Sequence, residues 1–139
     1  MRFILYVSFA QVAVFLSSLE HPFNEWTDEH VAQGFSWRKG SVSFRTLEEA
    51  GDYAITVNIL EELPEVSLGA NRVIEVPFEV PEGASVEIAS ISDSNIVDVP
   101  GARYILRYEA FPAEGDTDPS ISLIFAKSDS PRFRVCVAD

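Results

Sequence analysis

Basic residues are scarce in this chain: 10 lysines and arginines stand against 22 aspartates and glutamates in 139 residues, a formal net charge of −12. Neutralising phosphates requires a concentrated basic face, so direct binding of nucleic acid is not expected. Cysteine is scarcer still. Cys136 alone permits no intrachain disulfide framework and no multi-cysteine metal site. It lies between Val135 and Val137, which predicts a buried structural thiol. A reactive thiol would need a cationic, partly exposed setting, and only Arg132 and Arg134 are near in sequence. The two histidines, His21 and His30, flank a tryptophan segment without any H-E-x-x-H spacing. No G-x-S-x-G, P-loop or dinucleotide fingerprint is present. No nucleophile–base set is recognisable, so a non-catalytic role without metal or cofactor is expected.

No apolar run reaches the roughly 20 residues that a membrane-spanning helix needs. The stretch from Met1 to Ser18 imitates a signal peptide, with one basic residue, an apolar run and small residues after it. Ser8 and Gln11 interrupt that run, and Phe3, Tyr6, Phe9 and Phe15 suit a strand better than a signal core. Residues 3–16 are therefore predicted to form one long strand buried on both faces. The expected location is the cytoplasm, not the exported space.

What the sequence does contain is 47% hydrophobic residues, far more than a disordered acidic tail carries. The length suits one domain spanning residues 1–139. Period-2 alternation dominates. Val42, Phe44 and Thr46 oppose Ser41, Ser43 and Arg45, while Tyr53, Ile55, Val57 and Ile59 alternate with Ala54, Thr56, Asn58 and Leu60. The clearest case sets Ile74, Val76, Phe78 and Val80 on a core face against Val73, Glu75, Pro77 and Glu79 on a wet one. Pro77 cannot donate to a ladder, which predicts an edge or a bulge there. Further strands are predicted over Val86–Ile91, Ile96–Val99, Arg103–Phe111, Ile121–Lys127 and Phe133–Val137. Turn pairs such as Lys39-Gly40, Pro100-Gly101 and Ser130-Pro131 separate the runs. The expected fold is all-β, a single-domain antiparallel β-sandwich with one short helix.

That helix is predicted just after Trp26. Thr27 suits the N-cap, Asp28 and Glu29 occupy the first turn, where the macrodipole favours negative charge, and Gly34 can close the C-terminus. Trp26 and Val31 hold the two positions of a hydrophobic staple. About two turns long, the helix must lean on the sheet. Tyr104 begins the strand after Pro100-Gly101, placed to lock that corner through its hydroxyl.

Paired carboxylates such as Glu48-Glu49, Glu61-Glu62 and Asp116 with Asp118 are numerous enough to arise by chance among 22 acidic residues. The run Glu114-Gly115-Asp116-Thr117-Asp118 offers hard oxygens for calcium but lacks the full loop pattern with its terminal glutamate, which favours a solvated turn. Trp26 and Trp37 offer a carbohydrate platform or an interface anchor. Their structural readings, as staple and strand residue, are preferred.

Three blocks carry a resemblance. Glu25-Trp26-Thr27-Asp28-Glu29 is followed by Gly34-Phe35 and then Gly40-Ser41-Val42-Ser43-Phe44. Val76-Pro77-Phe78-Glu79-Val80 is followed by Ile88–Ile91, then Asp98-Val99-Pro100-Gly101 and Tyr104. Phe111-Pro112-Ala113-Glu114 closes the series. In order and spacing, from residue 5 to residue 126, these blocks resemble the competence protein J family, with residues 127–139 beyond the matched part. The resemblance implies a small acidic protein that binds and inhibits a nuclease of DNA uptake, or a secreted nuclease. Such a nuclease presents a basic cleft to phosphates, and an acidic surface can be steered into it. The expected partner-binding residues are Trp26, Asp28 and Glu29, with Glu114, Asp116 and Asp118 as a second set. One alternative is a β-sandwich binding module for carbohydrate or calcium. A third reading is an assembly domain whose edge at Val73–Val80 pairs with a partner.

Overall fold

The alternating runs become strands in the computed structural model, which describes residues 1–138. In chain order they are β1 (Arg2–Val7), β2 (Gln11–Leu16), helix α1 (Asp28–Gln33), β3 (Phe35–Arg38), β4 (Ser41–Arg45), β5 (Gly51–Leu60) and β6 (Arg72–Val80). There follow β7 (Val86–Ala89), β8 (Ser94–Val97), β9 (Ala102–Phe111), β10 (Ser120–Lys127) and β11 (Arg134–Val137). One sheet has the order β1-β5-β10-β9-β6-β11 and the other β3-β4-β2-β7-β8. The two inner faces share one core: Tyr53, Ile55, Ile74, Leu106, Leu123 and Phe125 of the first sheet meet Val12, Val14, Val42, Phe44 and Ile88 of the second. Phe44 and Tyr108 stack across the layers with ring centres 4.4 Å apart.

The all-β sandwich with one short helix is the observed architecture. It is not wholly antiparallel. β10 runs parallel to β5, from Ser120 beside Ala54 to Ala126 beside Leu60. Parallel neighbours need a long crossover; here the chain makes β6 to β9 before β10 inserts between β5 and β9.

The predicted strand over residues 3–16 is corrected to two strands in different sheets. The chain reverses at Phe9 and Ala10, whose φ angles are 56° and 57°, and Ser8 pairs with Gln11 across the turn. Two successive positive φ values are the signature of a type I′ turn, a geometry that usually selects glycine, asparagine or aspartate. β1 is a sheet edge with Ile4 and Tyr6 exposed. Of these two strands only β2 is buried on both faces, because it lies at the centre of its own sheet and Ala13 and Phe15 form a second small cluster with Ala89.

On β6 the expected wet face is also corrected, because Val73 and Glu75 are buried. β11 pairs with β6 only over Val73–Glu75, so the edge expected at Pro77 lies just past the end of the chain's own added strand. Cys136 falls at the irregularity of β11 and is half-buried, not fully buried as expected. Burial, and secondarily the Glu75 carboxylate, raise its thiol pKa. The Tyr104 hydroxyl donates to the Pro100 carbonyl at 2.5 Å, closing the corner expected there.

Candidate functional site

Helix α1 forms where its capping residues stand. The Thr27 hydroxyl accepts from the His30 backbone N–H at 3.3 Å, and His30 Nδ1 accepts from the Thr27 N–H at 3.1 Å. This is a reciprocal capping box in which histidine takes the place usual for glutamate. Gly34 ends the helix at φ 91°, its N–H bonded to the His30 carbonyl. A Cβ at Gly34 would lie 3.1 Å from Ile74 Cδ1, so glycine supplies the left-handed turn and also lets the helix approach the first sheet.

Trp26 is half-buried. Its indole N–H donates to Gln11 Oε1 at 3.2 Å, tying the helix entrance to the start of β2. Trp26 and Val31 line one hollow of about 390 Å³ together with Phe9, Ala10, Gln11 and Arg45. The two staple positions thus leave room between themselves and the β1–β2 turn. Arg45 Nε donates to the Val31 carbonyl at 3.2 Å, binding β4 to the helix. Asp28 and Glu29 are exposed beside this hollow's helix.

The Glu114–Asp118 run forms a tight hairpin. The Glu114 N–H donates to the Thr117 carbonyl at 3.2 Å, and the Thr117 N–H returns to the Glu114 carbonyl at 2.8 Å. Glu114, Asp116 and Asp118 are all exposed, the solvated turn that the sequence favoured.

Pairing registers place both predicted sets at one end of the sandwich. In the first sheet Val7 lies opposite Gly51, Ser120 beside Ala54 and opposite Phe111, and Arg72 opposite Ala110. The turn from Val7 to Gln11 joins this end to the end of the second sheet where Gln11 opposes Arg45 and Phe35 opposes Phe44. Helix α1 enters β3 there, and the 112–119 hairpin links β9 to β10 there. The 46–50 loop also lies at this end, with the Ala10 N–H bonded to the Glu49 carbonyl at 2.8 Å and the Thr46 N–H to the Ala10 carbonyl at 2.9 Å.

Cations are segregated along the same axis, whereas exposed carboxylates occur at both ends, with Glu61, Glu62, Glu82, Asp98 and Asp129 at the other. Segments 8–10, 28–34, 46–50 and 112–119 contain no lysine or arginine, while Asp28, Glu29, Glu48, Glu49, Glu114, Asp116 and Asp118 are exposed on them. The two arginines at this end are Arg45, half-buried, and Arg72, buried with a hydrogen bond to the Arg45 carbonyl. Arg2, Arg38, Lys39, Arg103 and Lys127 sit at the opposite strand ends. The result is an acidic pole around an apolar hollow.

The other candidate groups lie elsewhere. Trp37 is a strand residue whose indole N–H bridges to the Pro77 carbonyl at 2.7 Å, and Phe133 packs edge-on against it at 5.0 Å. It does not line the hollow that Trp26 lines. His21 and His30 border one cleft with Glu25 and Arg38, yet among the described residues no three His, Cys, Asp or Glu side chains are grouped to hold a metal ion. Among the described residues no helix is long and apolar enough to cross a membrane. The sequence does not single out Phe9 or the Glu48-Glu49 loop as site residues, because their juxtaposition with α1 depends on strand pairing. The one local signal was the pair of polar residues, Ser8 and Gln11, that bracket the turn.

The sequence model of the family Competence protein J (ComJ) matches residues 4–133. The crystal structure described as ComJ, inhibitor of the DNA degrading activity of NucA, from Bacillus subtilis, has a similar fold. The two chains are 23% identical with a TM-score of 0.77, and the match covers 92% of this chain and 96% of that one. Among curated proteins no match is found. The family match extends from β1 to the residue before β11, through the helix and the acidic hairpin, and the chain belongs to the competence protein J family.

Proposed function

We propose that this protein binds a DNA-degrading nuclease and inhibits it, without catalysing a reaction of its own. Support comes from family membership and from the acidic pole, where Asp28 and Glu29 on α1 and Glu114, Asp116 and Asp118 on the β9–β10 hairpin share one end of the sandwich. The observation that carries the reading is that the loops bearing these carboxylates hold no lysine or arginine. A nuclease grips phosphates through a positively charged cleft, and a rigid display of carboxylates competes for the same field.

Each part of the pole has its own task. The carboxylates draw the partner in over a distance set by the Debye length, about 10 Å at 0.1 M salt, and they hold orientation. Trp26, half-buried and fixed through Gln11, supplies contact area at small entropic cost, as rigid aromatics do at interfaces. Substrate DNA is excluded in the complex because carboxylates occupy the groups that would hold phosphates.

The test is a DNA-degradation assay with purified Bacillus subtilis NucA and this protein added in increasing amounts. Inhibition saturating near one inhibitor per nuclease is expected, weakening as salt is raised. Undiminished degradation at a large excess of this protein would remove the proposal.

A further inference from the structure

We infer that the hollow between the β1–β2 turn and helix α1 is the anchor pocket of the partner contact, that it receives an apolar side chain from a segment flanked by lysine or arginine, and that Phe9 is its principal contact. This deepens the nuclease-inhibitor reading and rests on it.

Phe9 is 72% exposed at a backbone conformation that phenylalanine rarely adopts, φ 56°. An aromatic there has no role in the core, and left-handed backbone costs a non-glycine residue about 1–2 kcal/mol. Strain of this kind persists where the surrounding structure over-determines it, and it is concentrated at functional positions. Here the over-determination is visible. Ala10 is bonded through both its N–H and its carbonyl to the 46–49 segment, and Gln11 is held by the Trp26 indole. The ring is thus presented on a fixed platform beside Trp26 and Val31, and Val31 is itself exposed.

The surround decides the occupant. The hollow's wall is mainly apolar, but the loops framing it bear exposed Asp28, Glu29, Glu48 and Glu49. A greasy second copy of this chain would bring the same carboxylates against themselves, which the charge disfavours. A basic protein with a protruding apolar side chain satisfies both features: the side chain fills the pocket and the neighbouring cations meet the rim. Buried aromatic contacts ringed by polar residues carry most of the binding energy in protein interfaces.

Phe9→Asn tests this directly, because asparagine tolerates positive φ and the variant is expected to fold at least as well as the parent. Binding of Bacillus subtilis NucA is measured by calorimetry at low and high salt for the parent, Phe9→Asn and Asp28→Asn/Glu29→Gln. Expected is a loss of about tenfold or more in affinity for Phe9→Asn at both salt concentrations, with the carboxylate variant losing affinity chiefly at low salt. Binding of Phe9→Asn within twofold of the parent would overturn the anchor while leaving the inhibitor reading intact. So would sedimentation showing a dimer of the parent that Phe9→Asn dissociates, since the pocket would then be filled by a second copy. A parent that does not bind NucA at all would overturn both.

Discussion

Arg107 and Glu75 meet at 2.9 Å, guanidinium to carboxylate, with side chains 5% and 1% exposed. They lie on the outer face of the first sheet, where neighbouring strands β6 and β9 place them opposite each other. The segment before β6 covers them: Arg107 also donates to the Pro64 carbonyl at 2.7 Å, and Glu109 accepts from the Ser67 N–H and hydroxyl at 3.0 and 2.8 Å. Arg132 reaches Glu75 from the other side at 3.3 Å.

Removing Arg107 leaves Glu75 and Glu109 as buried carboxylates with their shared cation gone. Breaking one partner of a buried pair costs about 3–5 kcal/mol. Arg107→Met is expected to lower stability by that amount in urea denaturation. A change within about 0.5 kcal/mol, the range of an ordinary surface substitution, would contradict the assignment.

Tyr104→Phe deletes the hydroxyl that donates to Pro100 and leaves the ring in the core. The Pro100 carbonyl loses its bond, and the expected cost is about 0.5–1.5 kcal/mol. Nuclease inhibition is expected to be unchanged, because this corner sits at the end opposite the acidic pole. Loss of inhibition in a variant that retains its thermal midpoint would place the contact surface wrongly.

Stability is expected to fall in alkali. Burial is the main cause raising the Tyr53 and Tyr104 phenol pKa values above the usual value of about 10. Above pH 10 the unfolded chain releases phenolic protons that the folded chain retains, so unfolding is favoured as pH rises towards the folded values. Below pH 10 the contribution is fully present. Urea midpoints measured from pH 8 to pH 11 should decline at the alkaline end, less steeply in Tyr104→Phe. A flat profile would contradict the phenols' burial.

Cys136 is expected to react slowly with thiol reagents at neutral pH. Burial first, and then the Glu75 charge, hold its proton, and the thiolate is the reacting form. Disulfide-exchange reagents at pH 7.5 should modify it more slowly than a small free thiol, with full rate restored in urea. Equal rates in the folded and unfolded protein would show an open, activated thiol instead.

Local chemistry was legible in the sequence, and pairing was not. Thr27 and Gly34 cap α1 as their positions predict, and Tyr104 binds Pro100 four residues away. Each of these depends on neighbours within one turn. By contrast, Phe9 and Ala10 are not turn formers, and only Ser8 and Gln11 interrupt the apolar run around them, so the reversal follows from the pairing of its two strands in different sheets. Glu75 reads as wet until the 61–71 segment and β11 are seen to cover it. The parallel pairing of β5 with β10 involves strands separated by four others in sequence, and alternation within a strand says nothing of its neighbours. The predicted acidic residues were two separate sets in sequence, Asp28 with Glu29 and Glu114 with Asp116 and Asp118. Sheet topology made them one pole.

The central claim is that this pole, and not another face, meets the nuclease. Stopped-flow association with Bacillus subtilis NucA across a range of ionic strengths, comparing the parent with Asp28→Asn/Glu29→Gln, tests it most directly. Removing two steering charges is expected to slow association several-fold at low salt, with the parent's rate falling steeply towards the variant's as salt rises. Association rates that coincide at every ionic strength, with inhibition retained, would contradict the account.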